Sequence, residues 1–137
     1  MGKVIVRIKL TNYGDIILRR LKLAKGNPRT VEVEALVDTG ATPLYLKPSV
    51  IKKLGLARTH TVRSRTSNGD AVRFKYEAVE LELMDRHETF DVTEVPENVP
   101  NLLGQVPLEV LDLVVDPKGR RLIPNPEHGG EQITEEY

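Results

Sequence analysis

The sequence predicts a single, mainly β domain of barrel-like form, and three observations carry that prediction. Apolar and polar residues alternate with a period of two along most of the chain, the pattern of half-buried strands. Turn-forming pairs such as Gly14-Asp15, Asn27-Pro28, Asn68-Gly69 and Lys118-Gly119 punctuate it at short intervals. Helical patterning is confined to two short stretches, Pro48 to Leu54 and Val106 to Asp112. Many short strands with few helices point to a β barrel rather than a layered α/β fold.

Taken in order, Val4, Val6, Ile8 and Leu10 alternate with Lys3, Arg7 and Lys9 as a first strand. After Gly14-Asp15, the apolar run Ile16 to Leu23 reads as a second strand. Val31 to Val37 is a third and runs directly into Asp38. Leu44-Tyr45-Leu46 is short and extended. Pro48 suits the first turn of a helix and Gly55 its end, so Pro48 to Leu54 is the first helix. From His60 the strand pattern resumes and reaches Asn68-Gly69, a pair suited to a tight hairpin whose central residues need positive φ. Beyond it Val72, Phe74 and Tyr76 share one parity and Val79, Leu81 and Leu83 the other, so a bulge is expected near Glu77-Ala78-Val79. Asp85-Arg86-His87 reads as a turn, with Thr89 to Val95 returning as a strand. Leu102-Leu103-Gly104 is a compact apolar run. It precedes the second helix, a strand Leu113 to Val115, a turn at Asp116-Pro117-Lys118-Gly119 and a last strand Arg121-Leu122-Ile123. The domain is thus expected over 1–124, with a polar, flexible tail at 125–137.

Composition removes several classes of function. The 137 residues carry 20 Lys and Arg against 20 Asp and Glu, interspersed, which gives no electrostatic case for nucleic acid or an anionic membrane as partner. The absence of cysteine excludes disulfides, thiolate metal sites and cysteine nucleophiles, and fits a cytoplasmic location. With no Trp, two Phe and four Tyr, a base-stacking surface is disfavoured. His60, His87 and His128 are isolated among polar residues, so solvent exposure is expected of them and no metal site or cofactor is predicted.

Chemistry concentrates in three places. Asp38-Thr39-Gly40-Ala41 closes an apolar strand and sets a carboxylate in a setting where burial is costly unless the group is used. Ser67-Asn68-Gly69-Asp70 tips a hairpin, and Leu102-Leu103-Gly104 precedes a helix. In this order the three resemble the retropepsin-like aspartic proteases, the single-lobed relatives of pepsin that include retroviral proteases. The resemblance spans about residues 30–123 and implies a closed or partly open β-barrel of the retropepsin (acid protease) type.

By that resemblance, Asp38 is the catalytic residue of an aspartic endopeptidase, and Thr39, Gly40 and Ala41 support its loop. Ser67 to Asp70 form the flap over an extended peptide, and Leu102, Leu103 and Gly104 form the site wall. Two apposed carboxyls can share one proton, so one draws a proton from water while the other polarises the peptide carbonyl. The chain holds one Asp-Thr-Gly, so the resemblance implies a homodimer with Asp38 and its symmetry mate on the axis. Leu36, Leu44, Leu102 and Leu103 are candidates for the apolar surround, with Leu36 expected in the core. Ala41 stands where many pepsin-like relatives have a hydroxyl that stabilises an ionised aspartate, which implies activity reaching less acidic pH. Thr42 and Gln105 stand where retroviral members commonly carry an acid and an arginine.

Two other readings use the same residues. The fold can serve as a catalytically inactive peptide-binding or dimerisation module, since fold does not fix activity. An unrelated β-barrel binding domain would leave Asp38 as an ordinary turn residue. Glu32 and Glu34 read as an outward strand face, Arg63, Arg65 and Arg73 as a solvated one, and Asp112 and Asp116 as a helix end and a turn.

Overall fold

Period-two alternation produces nine strands among the described residues of a computed structural model, which covers residues 3–116 and 118–136. Met1, Gly2, Pro117 and Tyr137, assigned from sequence to the leading segment, a turn and the tail, lie outside the described residues. Strands β1 (Ile5–Asn12), β2 (Thr30–Val37), β3 (Leu44–Leu46), β4 (Arg58–Thr66), β5 (Gly69–Leu83), β6 (Arg86–Glu94) and β7 (Leu102–Leu103) form one sheet. Its order is β1-β2-β7-β3-β6-β5-β4, and β1 also pairs with β5. That extra pairing, Lys9 to Asn12 against Glu82 to Val79, closes six strands into a ring and leaves β4 outside it. Strands β8 (Leu113–Asp116) and β9 (Arg121–Pro124) form a separate antiparallel pair. The mainly β, ring-forming architecture is the fold class the sequence predicts.

The pleat sorts side chains into two rows. Val37, Leu103, Leu44, Val92 and Tyr76 are successive partners across the ring and pack on the core, where Leu103 and Val92 are wholly buried. The adjacent row, Ile5, Leu36, Leu102, Tyr45, Thr93 and Lys75, takes the opposite face. Leu36 is therefore half-buried outside the core, contrary to the sequence expectation. The inward position belongs to its neighbour Ala35, because strand parity decides which of two adjacent apolar residues turns inward.

Among the described residues three α-helices interrupt the strands, one more than the sequence predicts. The apolar run from Ile16 is not a strand but the core of α1 (Tyr13–Arg20). Asn12 caps it by accepting a hydrogen bond from the Asp15 amide at 3.0 Å. Asp15 lies in the first turn and Arg19 and Arg20 in the last, as the helix dipole favours. The helix closes with Leu23 N–H donating to Leu18 O and Lys22 N–H donating to Arg19 O, with Lys22 left-handed at φ 61°. The helix α2 (Pro48–Leu54) begins at its proline and ends at Gly55, φ 65°, as expected, and buries Val50, Ile51 and Leu54. The helix α3 (Gln105–Leu111) ends on Asp112, left-handed at φ 58°.

The hairpins refine the turn assignments. Met84 and Asp85, both at positive φ, form the two-residue turn between β5 and β6, so Arg86 is a buried strand residue and not a turn residue. The expected bulge in β5 is present as a register shift between Tyr76 and Val79.

Asn12 has a second duty: its Nδ2 donates to Leu54 O at 2.8 Å, joining α1 to α2 in a buried setting. Asn12→Ala removes a helix cap and leaves a buried carbonyl unpaired. Urea unfolding is expected to show a loss of about 2 kcal/mol.

Candidate active site

The Asp38 loop is shaped by a strand inserted beneath it. β2 ends at Val37 and β3 begins at Leu44, yet the two do not pair; β7 lies between them, parallel to β2 and antiparallel to β3. Residues 38–43 must therefore bridge over Leu102 and Leu103. Within the bridge, Ala41 N–H donates to Asp38 O at 3.1 Å, closing a turn, and Gly40 N–H donates to Asp38 Oδ1 at 3.0 Å. The carboxylate is thus fixed by its own loop, half-buried, while Thr39, Gly40 and Thr42 are exposed.

The segment below holds the loop by its backbone. Asp38 N–H donates to Leu103 O at 3.0 Å and Gly104 N–H to Pro43 O at 3.1 Å. Gln105 N–H then donates to Ala41 O at 2.8 Å and Val106 N–H to Thr42 O at 3.0 Å. These last two amides open α3 and have no partner within their own helix, so the loop carbonyls satisfy them. Gly104 is required by contact: a Cβ there would lie 2.3 Å from Pro43 O and 2.6 Å from Thr42 O. At Gln105 and Thr42, where a charged pair is absent, main-chain hydrogen bonds carry the connection. The Gln105 side chain turns away and donates to Glu109 Oε1 at 3.0 Å.

The structure joins Asp38 to Leu103, Pro43 to Gly104 and Ala41 to Gln105 by hydrogen bonds, and sets β2 alongside Leu102 and Leu103; Thr39 and Gly40 are carried on the loop between. Ser67 and Asn68 tip the separate β4–β5 hairpin, where Thr66 pairs with Gly69. Positive φ falls on Gly69 (108°) and not on Asn68, so the turn residues are Ser67-Asn68 rather than Asn68-Gly69. Thr66 Oγ1 donates to Gly69 O at 2.6 Å and accepts from Asn68 N–H at 3.2 Å, which fixes the tip. Asp70 is exposed opposite Arg65. The base of the hairpin is anchored by Arg58 stacked 3.7 Å over the Phe74 ring and by Tyr76 OH donating to Glu94.

Sequence reasoning missed Asn101 and misjudged His128. Buried Asn101 donates from Nδ2 to Glu34 O and accepts the Lys47 amide at Oδ1, while its own carbonyl accepts Leu36 N–H. It therefore joins β2, the entry to α2 and β7 at one point. A polar residue directly before an apolar pair was the available signal. His60 and His87 are exposed, as expected, but the His128 side chain is only 11% exposed and pairs with Asp112. Among the described residues, no group of three His, Asp or Glu side chains is arranged to hold a metal ion.

A family model described as aspartyl protease matches residues 21–106, which contain the Asp38 loop, the hairpin and Leu102-Leu103-Gly104. Among solved structures, the chain is similar to EIAV protease complexed with the inhibitor HBY-793. The identity is 20% and the TM-score 0.45, over 56% of this chain and 74% of that one. No curated protein matches the sequence.

Gly104→Ala forces a methyl group against two loop carbonyls. We expect a loss of about 2–3 kcal/mol in urea unfolding, with larger chemical-shift changes at Ala41 and Thr42 than at the strands of β5 and β6.

Proposed function

The chain belongs to the aspartyl protease family, and we propose that it is an aspartic endopeptidase acting as a homodimer, each protomer supplying Asp38 as half of the catalytic pair. The observation that carries the reading is the Asp38 turn, a half-buried carboxylate on a loop braced from below by Leu103, Gly104 and the first turn of α3. Rigid placement of an acid is what general acid–base chemistry requires. The sequence holds a single Asp-Thr-Gly, and in this reading a second copy supplies the partner of Asp38.

In the proposed reaction, one Asp38 accepts a proton from a water molecule as that water attacks the scissile carbonyl carbon. The Asp38 of the second protomer, protonated, donates to the carbonyl oxygen. Collapse of the tetrahedral species breaks the C–N bond, and the leaving nitrogen takes a proton from the pair. Thr39 and Gly40 are exposed at the face the second copy would meet, and Gly40 leaves room for substrate backbone. The β4–β5 hairpin serves as the flap that covers an extended peptide.

Wild-type protein is expected to cut an unfolded protein substrate and to sediment as a dimer. Asp38→Asn should lower the rate by about a thousandfold or more while leaving the fold intact. Equal cleavage by both proteins, or a strictly monomeric active species, would refute the assignment, and peptide binding without cleavage would identify a non-catalytic module.

Ala41 offers the Asp38 carboxylate no hydroxyl donor, so activity is expected to extend into weakly acidic pH, and Ala41→Ser to move the profile toward acid. A wild-type rate profile confined to strongly acid conditions contradicts this.

A further inference from the structure

The C-terminal end of α3 carries a buried polar junction that the proposed reaction does not use. Asp112, the residue that ends α3, has a side chain only 7% exposed. Its Oδ1 accepts from Asn125 Nδ2 at 3.1 Å, and its Oδ2 accepts from Ile133 N–H at 3.0 Å and from His128 Nδ1 at 2.5 Å. His128 Nε2 meets Glu135 Oε1 at 3.1 Å. Arg86, at the start of β6, donates to the carbonyls of Leu111 and Asp112 and to Gly130 O. Gln132 Nε2 adds a bond to Val110 O. Segment 125–136 is thereby attached to the last turn of α3 through both side chain and backbone.

We propose that Asp112, His128 and Arg86 are positioning residues, forming a protonation-dependent latch through which segment 125–136 fixes α3 and, through α3, the Asp38 loop. The geometry supports transmission. α3 is two turns long, about 10 Å, and buries Pro107, Leu108 and Leu111 against the core. Its first amides hold Ala41 O and Thr42 O, while its last carbonyls and Asp112 are held by the latch. A short rigid rod pinned at both ends transmits displacement from one end to the other.

The charged groups around His128 set the direction of the pH response. Asp112 and Glu135 contact the imidazole directly, Glu109 of α3 and Glu127 of the 3-10 turn Pro126–His128 line the same cavity of about 500 Å³, and Arg86 donates to the Asp112 carbonyl. Hydrogen bonds to Asp112 and Glu135 raise the His128 pKa above the ordinary imidazole value. Burial opposes ionisation of Asp112, but its bonds to His128, Ile133 and Asn125 outweigh burial and hold its pKa below the ordinary carboxylate value. The His128 contribution is therefore complete below about pH 6.5 and is lost as pH rises through the raised value. The Asp112 contribution is complete above about pH 4 and is lost as pH falls through the lowered value. The latch is closed between these limits, the weakly acidic range in which the proposed protease would act.

The inference rests on Asp38 being the catalytic group, but hydrogen exchange tests the latch whether or not the protein cleaves. In the wild type, protection of the Ile133, Gln105 and Val106 amides should fall together as pH rises through the His128 titration, with β5–β6 amides unchanged. His128→Gln should lower protection of those three amides roughly tenfold at pH 6 and remove its pH dependence. If the wild type proves active, the same variant should lower kcat at pH 6 with little change in KM. Loss of protection at Ile133 with none at Gln105 and Val106 would overturn the proposal, because the latch would then end at the tail. An equal loss across β5 and β6 would also overturn it, as a general loss of stability. Glu135→Gln, which keeps the Asp112 contact, is the milder variant should His128→Gln fail to fold, and the same pattern at smaller amplitude is expected.

Discussion

The backbone junction between residues 101–106 and the Asp38 loop is the constraint on which the rest of the molecule depends. A carboxylate held by a turn alone would be free to reorient, since one side-chain-to-backbone bond is a modest restraint. Here five main-chain segments meet at the turn: the end of β2, the loop itself, β7, Gly104 and the first turn of α3. The close approach of Gly104 to two carbonyls leaves no space for a side chain. The ring of strands follows from the same requirement. Inserting β7 between β2 and β3 separates two consecutive strands, and the sheet regains continuity by carrying β3 onto β6 and closing β5 onto β1.

What was legible in the sequence is what local chemistry determines, and the junction is not part of it. Period-two alternation marked most strands, and Pro48 with Gly55 marked α2 at both ends because local chemistry alone determines those caps. The parity change near Glu77 located the bulge in β5, since a bulge is the means by which a strand changes its buried face. Asp38-Thr39-Gly40 and Leu102-Leu103-Gly104 were found as separate motifs. Their hydrogen bonds to one another belong to tertiary structure, and no single stretch of sequence encodes them.

The misreadings share a cause. Ile16-Ile17-Leu18 has the composition of a strand, but Asn12 and Asp15 cap it as a helix, and a short apolar run does not distinguish the two by period. Arg86 was read as a turn residue and His128 as a solvated one because their neighbours in sequence are polar. Their shared partner, the end of α3, is distant from both in sequence and close in space. Leu36 was expected in the core because of its size, but the pleat turns its neighbour Ala35 inward instead.

The position of β4 has a bearing on how two copies can approach. Closing β5 onto β1 hides the edges of the ring, but β4 pairs with β5 alone and offers its outer backbone to solvent at the end of the sheet. Such an edge invites another strand to add to it. Along it stand Arg58, Arg63 and Arg65, so two β4 edges brought together would confront arginine with arginine. Like charge along an exposed edge opposes its pairing with a second copy of itself, so the edge carries its own safeguard against continuous sheet formation.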